Sequence, residues 1–93
     1  MRFEKKFVSA ELLFEVGLDV DSNDGYLAIP VSNSRVDYSE YYRIDHSLVI
    51  GLPESLEELK SIAKQCRRRE MDEHLYLKPG SDRGIPREPV LKE

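Results

Sequence analysis

Hydrophobic and polar residues alternate along much of the first half of this chain, and a helical repeat replaces the alternation in the second half. A period of two is typical of a strand with one buried face, and apolar residues at i, i+3 and i+7 are typical of an amphipathic helix. The alternating segments predict strands at residues 3–8, 12–16, 26–31 and 36–44, and a fifth short strand at 75–78. The helical segments predict a short helix over 46–51 and a longer one over 55–70.

The strand patterns also predict which side chains face the core. Phe3 and Phe7 are expected to share a face of the first strand. Pro30 cannot donate a ladder hydrogen bond, so the third strand is expected at an edge of the sheet or to end there. In the fourth strand, Tyr41 is expected on the outer face, and Glu40 interrupts the apolar set on the inner face.

Capping residues mark the ends of the two predicted helices. Asp45 precedes the short helix and can accept a backbone hydrogen bond at its first turn. Ser55 and Glu58 have the spacing of a capping box at the start of the longer helix. That helix carries an apolar stripe that must pack on the sheet: Leu56, Leu59, Ile62, Ala63 and Cys66.

These elements predict an α+β fold, with a small antiparallel sheet of about five strands and one short and one longer helix packed on one face. Ninety-three residues suffice for one domain with a single thin core. That domain is expected to span residues 1–80. Residues 81–93 contain several prolines and glycines and are expected to form an extended C-terminal tail.

Composition indicates the cellular compartment and the kind of partner to expect. The single cysteine excludes an intrachain disulfide, which favours the reducing cytoplasm. No apolar run reaches the ~18 residues of a membrane span. Residues 11–58 carry eleven acidic side chains against two basic ones, so this part of the chain is expected to repel nucleic acid and to attract basic partners.

The residue types that carry chemistry do not combine into a recognisable site. Cys66 lies on the apolar stripe, so it is interpreted as a buried hydrophobic residue and not as a nucleophile. His74 follows two acids, but the spacing fits no standard zinc pattern. The three arginines 67–69 are interpreted as helix C-terminal cations paired with nearby acids, not as a phosphate or RNA site. No catalytic residue, cofactor or metal site is therefore predicted.

An acidic, tyrosine-containing surface is the best candidate for binding. Tyr side chains supply contact area at low entropic cost and are enriched at interface hot spots. The loop before the third strand and the fourth strand itself are expected to place their carboxylates in one continuous negative field around Tyr41. The predicted partner-binding residues are Asp19, Asp21, Asp24, Asp37, Glu40, Tyr41 and Asp45.

Three stretches of the sequence together resemble a known group of proteins: YSEYYRID at 38–45, CRRRE at 66–70 and LKPGSDRGIPR at 77–87. They are similar to small bacterial immunity proteins encoded beside polymorphic toxins, including those of contact-dependent growth inhibition systems. The resemblance spans residues 1–87 and does not identify the toxin. It implies a non-enzymatic inhibitor that binds one cognate toxin domain, often a basic nuclease, in the cytoplasm. The alternative is a small adaptor or regulatory subunit of another bacterial complex, and the oligomeric state is left open.

Overall fold

A four-stranded antiparallel meander is the body of the fold, seen in a computed structural model that describes residues 2–81 and 83–89. The strands are β1 (Phe3–Ser9), β2 (Phe14–Asp19), β3 (Gly25–Ser32), β4 (Asp37–Ile44) and the two-residue β5 (Ile85–Pro86). The helices are α1 (His46–Ile50) and α2 (Leu56–Arg67), and a 3-10 turn follows at Asp72–His74. Within the sheet the order is β1-β2-β3-β4, and β5 pairs with β3. The predicted α+β class, with an antiparallel sheet of five strands and two helices, is confirmed.

The hydrophobic core lies between one face of the sheet and the helices. Leu59, Ala63 and Cys66 of α2 are buried, and Leu56 and Ile62 pack at the margin of the core. The predicted stripe of α2 therefore faces the sheet. Alternate strand residues supply the other side of the core: Phe14, Val16, Leu27, Ile29, Val31, Tyr42 and Ile44.

A β-bulge in β1 places Phe3 and Phe7 on opposite faces, so the prediction that they share a face is wrong. The register with β2 shifts between Lys5 and Phe7, which leaves Lys6 as the extra residue. Because side chains alternate along a strand, one inserted residue reverses the facing of every residue beyond it. Phe7 packs against the core, whereas Phe3 lies among tyrosines on the outer face.

Pro30 lies inside the sheet, which corrects the prediction of an edge strand. β3 pairs with β4 along its whole length, and on its other side it pairs first with β2 and then with β5. The Pro30 carbonyl accepts a hydrogen bond from the Arg87 N–H on that second side, at 3.1 Å. An N–H at position 30 would point the same way, between the start of β2 and the end of β5. Proline forgoes only the reciprocal bond to the carbonyl of exposed Arg87, at the margin of this short pairing, so it is tolerated.

The segment predicted as the fifth strand, residues 75–78, forms only one bridge to the sheet. Leu75 bridges to Tyr42, and the Tyr76 N–H donates to the Tyr41 carbonyl at 2.9 Å. The chain then leaves β4, and Leu77 is 70% exposed. The prediction of a strand at 75–78 is therefore wrong.

The fifth strand, β5, comes from the segment expected to be a tail. Gly84 precedes it and is buried against β3. A Cβ at this position would lie 2.3 Å from the Ser32 carbonyl oxygen, so a glycine is needed for the close approach. Of the predicted tail, Asp82 and residues 90–93 lie outside the described residues.

The helix ends agree with the sequence at α1 and differ at α2. The Asp45 carboxylate accepts a hydrogen bond from the Ser47 N–H at 3.0 Å, which confirms the predicted cap. The Ser55 hydroxyl instead donates to the Leu48 carbonyl of α1, so the predicted capping box is wrong. This bond ties the start of α2 to α1. The longer helix ends at Arg67, three residues before the predicted end.

Among the described residues, no helix combines the length and the apolar character needed to cross a membrane.

Candidate functional site

Two of the seven predicted partner-binding residues are buried and do not belong to an exposed acidic surface. Asp19 is 3% exposed and Glu40 is 6% exposed. The Asp19 carboxylate accepts a hydrogen bond from the Asp21 N–H at 3.0 Å and so organises the β2–β3 turn. Burial alone would raise the pKa of Asp19, but its hydrogen bonds from Asp21 and Ser22 outweigh burial and lower it.

The other four predicted acids are exposed or half-buried but divide between the two ends of the sheet. Asp37 pairs with Ser32 at one end of the β3–β4 ladder, whereas Ile44, just before Asp45, pairs at the other end. Eight residues of strand separate the ends by about 23 Å at ~3.3 Å per residue. The continuous negative field expected around Tyr41 is therefore not present.

Asp21 and Asp24, at the same end of the sheet as Asp45, each lie beside a cation. Arg43 lies 3.3 Å from Asp24, and Arg2 lies 3.5 Å from Asp21. Both pairs are exposed to solvent, where such contacts contribute little to stability. They nevertheless reduce the local negative charge, because each acid has a base beside it.

Tyr41 lies on the outer face of the sheet, as predicted, within an aromatic cluster. Its ring stacks on Phe3 with 4.5 Å between centroids and 4° between planes. Tyr26 lies 5.3 Å from Tyr41, and Tyr76 meets the edge of Phe3 at 5.2 Å. Burial raises the pKa of Tyr41. We call Phe3, Tyr26, Tyr41 and Tyr76 the aromatic cluster.

The aromatic cluster is held against the sheet by contacts with its neighbours. The Tyr26 hydroxyl donates to the Glu15 carboxylate at 2.5 Å, and the Tyr76 hydroxyl donates to the Gly25 carbonyl at 3.1 Å. The Arg43 guanidinium lies 4.4 Å from the centre of the Tyr76 ring, a cation–π contact. The rings of the cluster are held in place, because the hydroxyl groups of Tyr26 and Tyr76 are already hydrogen-bonded within the protein.

Glu40 lies on the opposite, inner face of β4 and is surrounded by cations. Arg83 Nε lies 2.8 Å from Glu40 Oε2, and Arg69 Nη1 donates to Oε1. The Tyr42 hydroxyl donates to Oε1 at 2.9 Å. Arg83 also forms two bonds of 2.8 Å to Asp72. We call Glu40, Arg69, Arg83 and Asp72 the Glu40 cluster; its formal charges cancel.

The charge state of the Glu40 cluster follows from these contacts. Burial by itself would raise the pKa of Glu40, but hydrogen bonds from Arg83 and Tyr42 and the charge of Arg69 outweigh burial and lower it. The Arg83 hydrogen bonds likewise lower the pKa of Asp72. The cluster joins β4, the segment just after α2, the 3-10 turn and the C-terminal segment, since each supplies one of its four residues.

Arg69 adopts a backbone conformation that is unusual for its type. Its φ is 64°, in the left-handed region, directly after the C-cap of α2. The Arg69 N–H donates to the Cys66 carbonyl, and the Glu70 N–H donates to the Gln65 carbonyl. This is a Schellman motif, in which glycine is the usual residue. The guanidinium contacts with Glu40 and the Gly84 carbonyl offset the backbone strain.

An open pocket of about 290 Å³ lies between β4 and residues 75–80, which run across the edge of β4 and which we call the crossing segment. β4 contributes Tyr38, Ser39 and Tyr41, and the crossing segment contributes Leu77, Lys78 and Pro79. The lining is mainly apolar. Residues from both faces of the sheet line this pocket. Tyr41 of the aromatic cluster comes from the outer face, and Arg83 of the Glu40 cluster comes from the inner face.

The thiol and imidazoles do not form a reactive pair. Cys66 is fully buried, and burial raises its pKa to about 12, as expected for a core residue. His74 lies 3.5 Å from Glu73 at the surface. In residues 2–81 and 83–89, no three His, Cys, Asp or Glu side chains converge in a way that could hold a metal ion.

The predicted salt bridges of arginines 67–69 are also corrected. Arg67 donates to the carbonyls of Leu12 and Leu13, at 2.6 and 3.1 Å, and not to a nearby acid. Arg69 binds Glu40, 29 residues earlier in the chain. Both arginines bond to partners in the β1–β2 turn and β4 because the end of α2 packs over the sheet.

Sequence reasoning missed Arg83 and Leu77 as members of the site. One signal was available, because Glu40 stands on the apolar face of β4 between Tyr38 and Tyr42. A carboxylate at an inward position requires a cationic partner. The sequence offered nine bases after residue 58 and did not indicate which of them reach Glu40.

Comparison of this chain with protein families, with curated proteins and with solved structures gave no significant match.

Proposed function

We propose that this protein is a non-enzymatic immunity protein that binds and neutralises a bacterial toxin domain in the cytoplasm. The observation that carries the binding function is the open, mainly apolar pocket beside Tyr41. It lies at a sheet edge, where a partner protein can reach it. The toxin as partner rests on the resemblance of residues 38–45, 66–70 and 77–87 to immunity proteins.

The surface around the pocket suits a protein partner better than a small substrate. A volume of about 290 Å³ is at the lower end of small-molecule sites. The Tyr41 ring is prearranged by its stack on Phe3, so little side-chain entropy is lost when a partner covers it. Tyr41 is therefore proposed as the anchor of the interface.

The exposed acids are proposed to act mainly on the rate of association. Asp37 lies on the same outer face as Tyr41, and Asp21, Asp24 and Asp45 lie at the other end of the sheet. Their field attracts a basic partner and is screened as the Debye length falls from ~10 Å at 0.1 M salt to ~3 Å at 1 M. Reversing Asp37 and Asp45 to Lys is expected to slow association without unfolding the protein.

The test is affinity capture from the native lysate, with the captured protein identified by mass spectrometry. The bait is the wild-type chain, Tyr41→Ala or Tyr41→Phe. Tyr41→Phe keeps the ring stack and is the matched control. A basic protein captured by wild type and Tyr41→Phe, but dissociating about 30-fold faster from Tyr41→Ala, is the expected result for a hot spot worth about 2 kcal/mol. Circular dichroism verifies that each bait is folded.

Expression of the captured protein alone should then stop cell growth, and co-expression of this chain should restore it. A captured protein that leaves growth unchanged would count against the immunity function and favour an adaptor. Equal dissociation from Tyr41→Ala and wild type would show that the interface lies elsewhere.

A further inference from the structure

We propose that the free edge of β4 binds an extended segment of the partner, which adds a strand to the sheet at Ser39 and places a Lys or Arg side chain opposite Asp37. This inference rests on the proposed function for the nature of the partner. It adds the site of contact, the binding mode and the chemistry of the bound segment.

The backbone of β4 has an open position at Ser39. The Tyr41 carbonyl points away from β3, because it accepts the Tyr76 N–H on the outer side. Backbone direction alternates along a strand, so the N–H and C=O of Ser39 point outward as well. Ser39 faces Pro30 in the ladder, and the Pro30 carbonyl is bonded to Arg87 on the far side of β3. Within the described residues, neither backbone group of Ser39 has a hydrogen-bond partner.

Residues 75 and 76 show that this edge already accepts antiparallel backbone pairing. Leu75 and Tyr76 pair with Tyr42 and Tyr41 in antiparallel fashion. Had the chain continued in register, Lys78 would lie opposite Ser39. The chain instead turns away from β4 after Tyr76, and the pocket lies between Ser39 and residues 77–80. A second strand can therefore follow where the crossing segment stops pairing, between β4 and residues 77–80.

The surroundings select the side chains of the bound segment. Asp37 is exposed, accepts a hydrogen bond from the Ser32 hydroxyl at 2.6 Å and forms no ion pair with a described Lys or Arg. A cation opposite it in the added strand would complete a cross-strand pair of opposite charge. Tyr38 and Leu77 favour an apolar neighbouring residue. Main-chain bonds at Ser39 supply affinity, and these side chains supply selectivity.

A proline at position 39 tests the backbone contact directly. Ser39→Pro removes the outward N–H and leaves the hydrogen bonds between β3 and β4 intact, because Ser39 makes none of them. Tyr38, which precedes it, is already extended, as a residue before proline prefers. Ser39→Val is the matched control, since it changes the side chain and keeps the N–H.

The probe is a phage-displayed library of random decapeptides selected on the wild-type chain. Selected peptides should carry Lys or Arg next to an apolar residue. They should bind Ser39→Val within about 3-fold and Ser39→Pro at least about 30-fold more weakly, a loss of about 2 kcal/mol. Asp37→Lys should weaken binding by about 10-fold, and Glu54→Lys, at an exposed acid in the turn before α2, should not.

Hydrogen exchange gives a second readout in the wild-type chain, which serves even if Ser39→Pro fails to fold. Saturating peptide should slow exchange of the Ser39 amide and leave that of exposed Lys6, on the other edge strand, unchanged. Peptides that bind Ser39→Pro as well as wild type, failure to enrich any peptide, or an unchanged Ser39 amide would each overturn the proposal. A wild-type dimer that Ser39→Pro converts to monomer would show that a second copy of the chain occupies the edge instead.

The proposed function can fail independently of this inference. If a toxin is captured in a Tyr41-dependent manner and still binds Ser39→Pro, the immunity function stands and strand addition fails. If peptides bind at Ser39 but no captured protein arrests growth, the edge is a peptide site and the immunity function fails.

Discussion

Glu40 on β4 and Arg83 in the C-terminal segment form a partly buried ion pair across 43 residues of sequence, with Nε 2.8 Å from Oε2. This pair fixes the C-terminal segment against the sheet. It also accounts for a carboxylate that stands on the apolar face of a strand. Its energetics can be measured by changing the carboxylate, the pH or the second arginine of the cluster.

Removing the charge of Glu40 should destabilise the fold strongly. In Glu40→Gln, Arg69 and Arg83 keep their charges but lose the carboxylate that compensates them. Loss of one partner of a buried pair costs 3–5 kcal/mol, and about 2–4 kcal/mol is expected here because both arginines are partly exposed. Urea unfolding at pH 7 measures the change. The control is Glu70→Gln, an exposed acid at the same end of α2, which should alter stability by less than about 0.5 kcal/mol. Equal effects of the two substitutions would contradict the role given to Glu40.

Acid should weaken the fold through the same cluster. The pKa values of Glu40 and Asp72 are lowered in the folded protein. The unfolded chain, with ordinary carboxylate pKa values near ~4, then binds protons more readily than the folded chain. The stabilisation is complete above that range and is lost as the pH falls through it toward the folded pKa values. Unfolding free energy measured from pH 7 down to pH 3 should fall less steeply for Glu40→Gln than for wild type. Parallel curves would show that the cluster does not govern acid stability.

The left-handed conformation of Arg69 predicts an inversion of the usual order of glycine and alanine. Both Arg69→Gly and Arg69→Ala lose the bonds to Glu40 and Gly84 and should be less stable than wild type. The glycine variant should be the more stable of the two by about 1 kcal/mol, because alanine meets a steric penalty at positive φ. Arg68 has a φ of −84° and is the matched control, where glycine should give no advantage. Thermal unfolding of the four variants measures both differences.

Gly17 is expected to tolerate no side chain. A Cβ there would lie 2.1 Å from the Glu4 carbonyl oxygen and 2.7 Å from Cε2 of Tyr26. Gly17→Ala should therefore cost about 1–3 kcal/mol, as overpacking does, and disturb the aromatic cluster. Gly80 has no atom within 4 Å of an added Cβ, so Gly80→Ala should be neutral or slightly stabilising. Near-ultraviolet circular dichroism should change for Gly17→Ala alone. A neutral Gly17→Ala would mean that Tyr26 does not rest on this position.

The local pattern of the sequence was enough to predict the class of fold and most of its elements. Alternation located β1 to β4, and the helical stripe located α2 and its buried face, because burial of one face imposes the period directly on the sequence. The outward position of Tyr41 and the cap at Asp45 follow from the same local rules. Each of these features depends on residues within a few positions of one another.

The errors arose where residues distant in sequence meet. The bulge at Lys6 reverses Phe3 because the register with β2 shifts, and no residue type in β1 signals the shift. A two-residue strand such as β5 has no period of its own, and it exists only because β3 offers an edge beyond the start of β2.

In the candidate site too, local features were predictable from the sequence, whereas contacts between distant segments were not. The sequence by itself determined that Glu40 faces inward and Tyr41 outward, since alternation along one strand decides both. Only the tertiary structure decided that Arg69 and Arg83 bind Glu40, and that residues 77–80 leave β4 and open a pocket at Ser39. The physical reason is that side-chain periodicity is a property of one segment, whereas ion-pair partners and edge positions depend on how separate segments pack together.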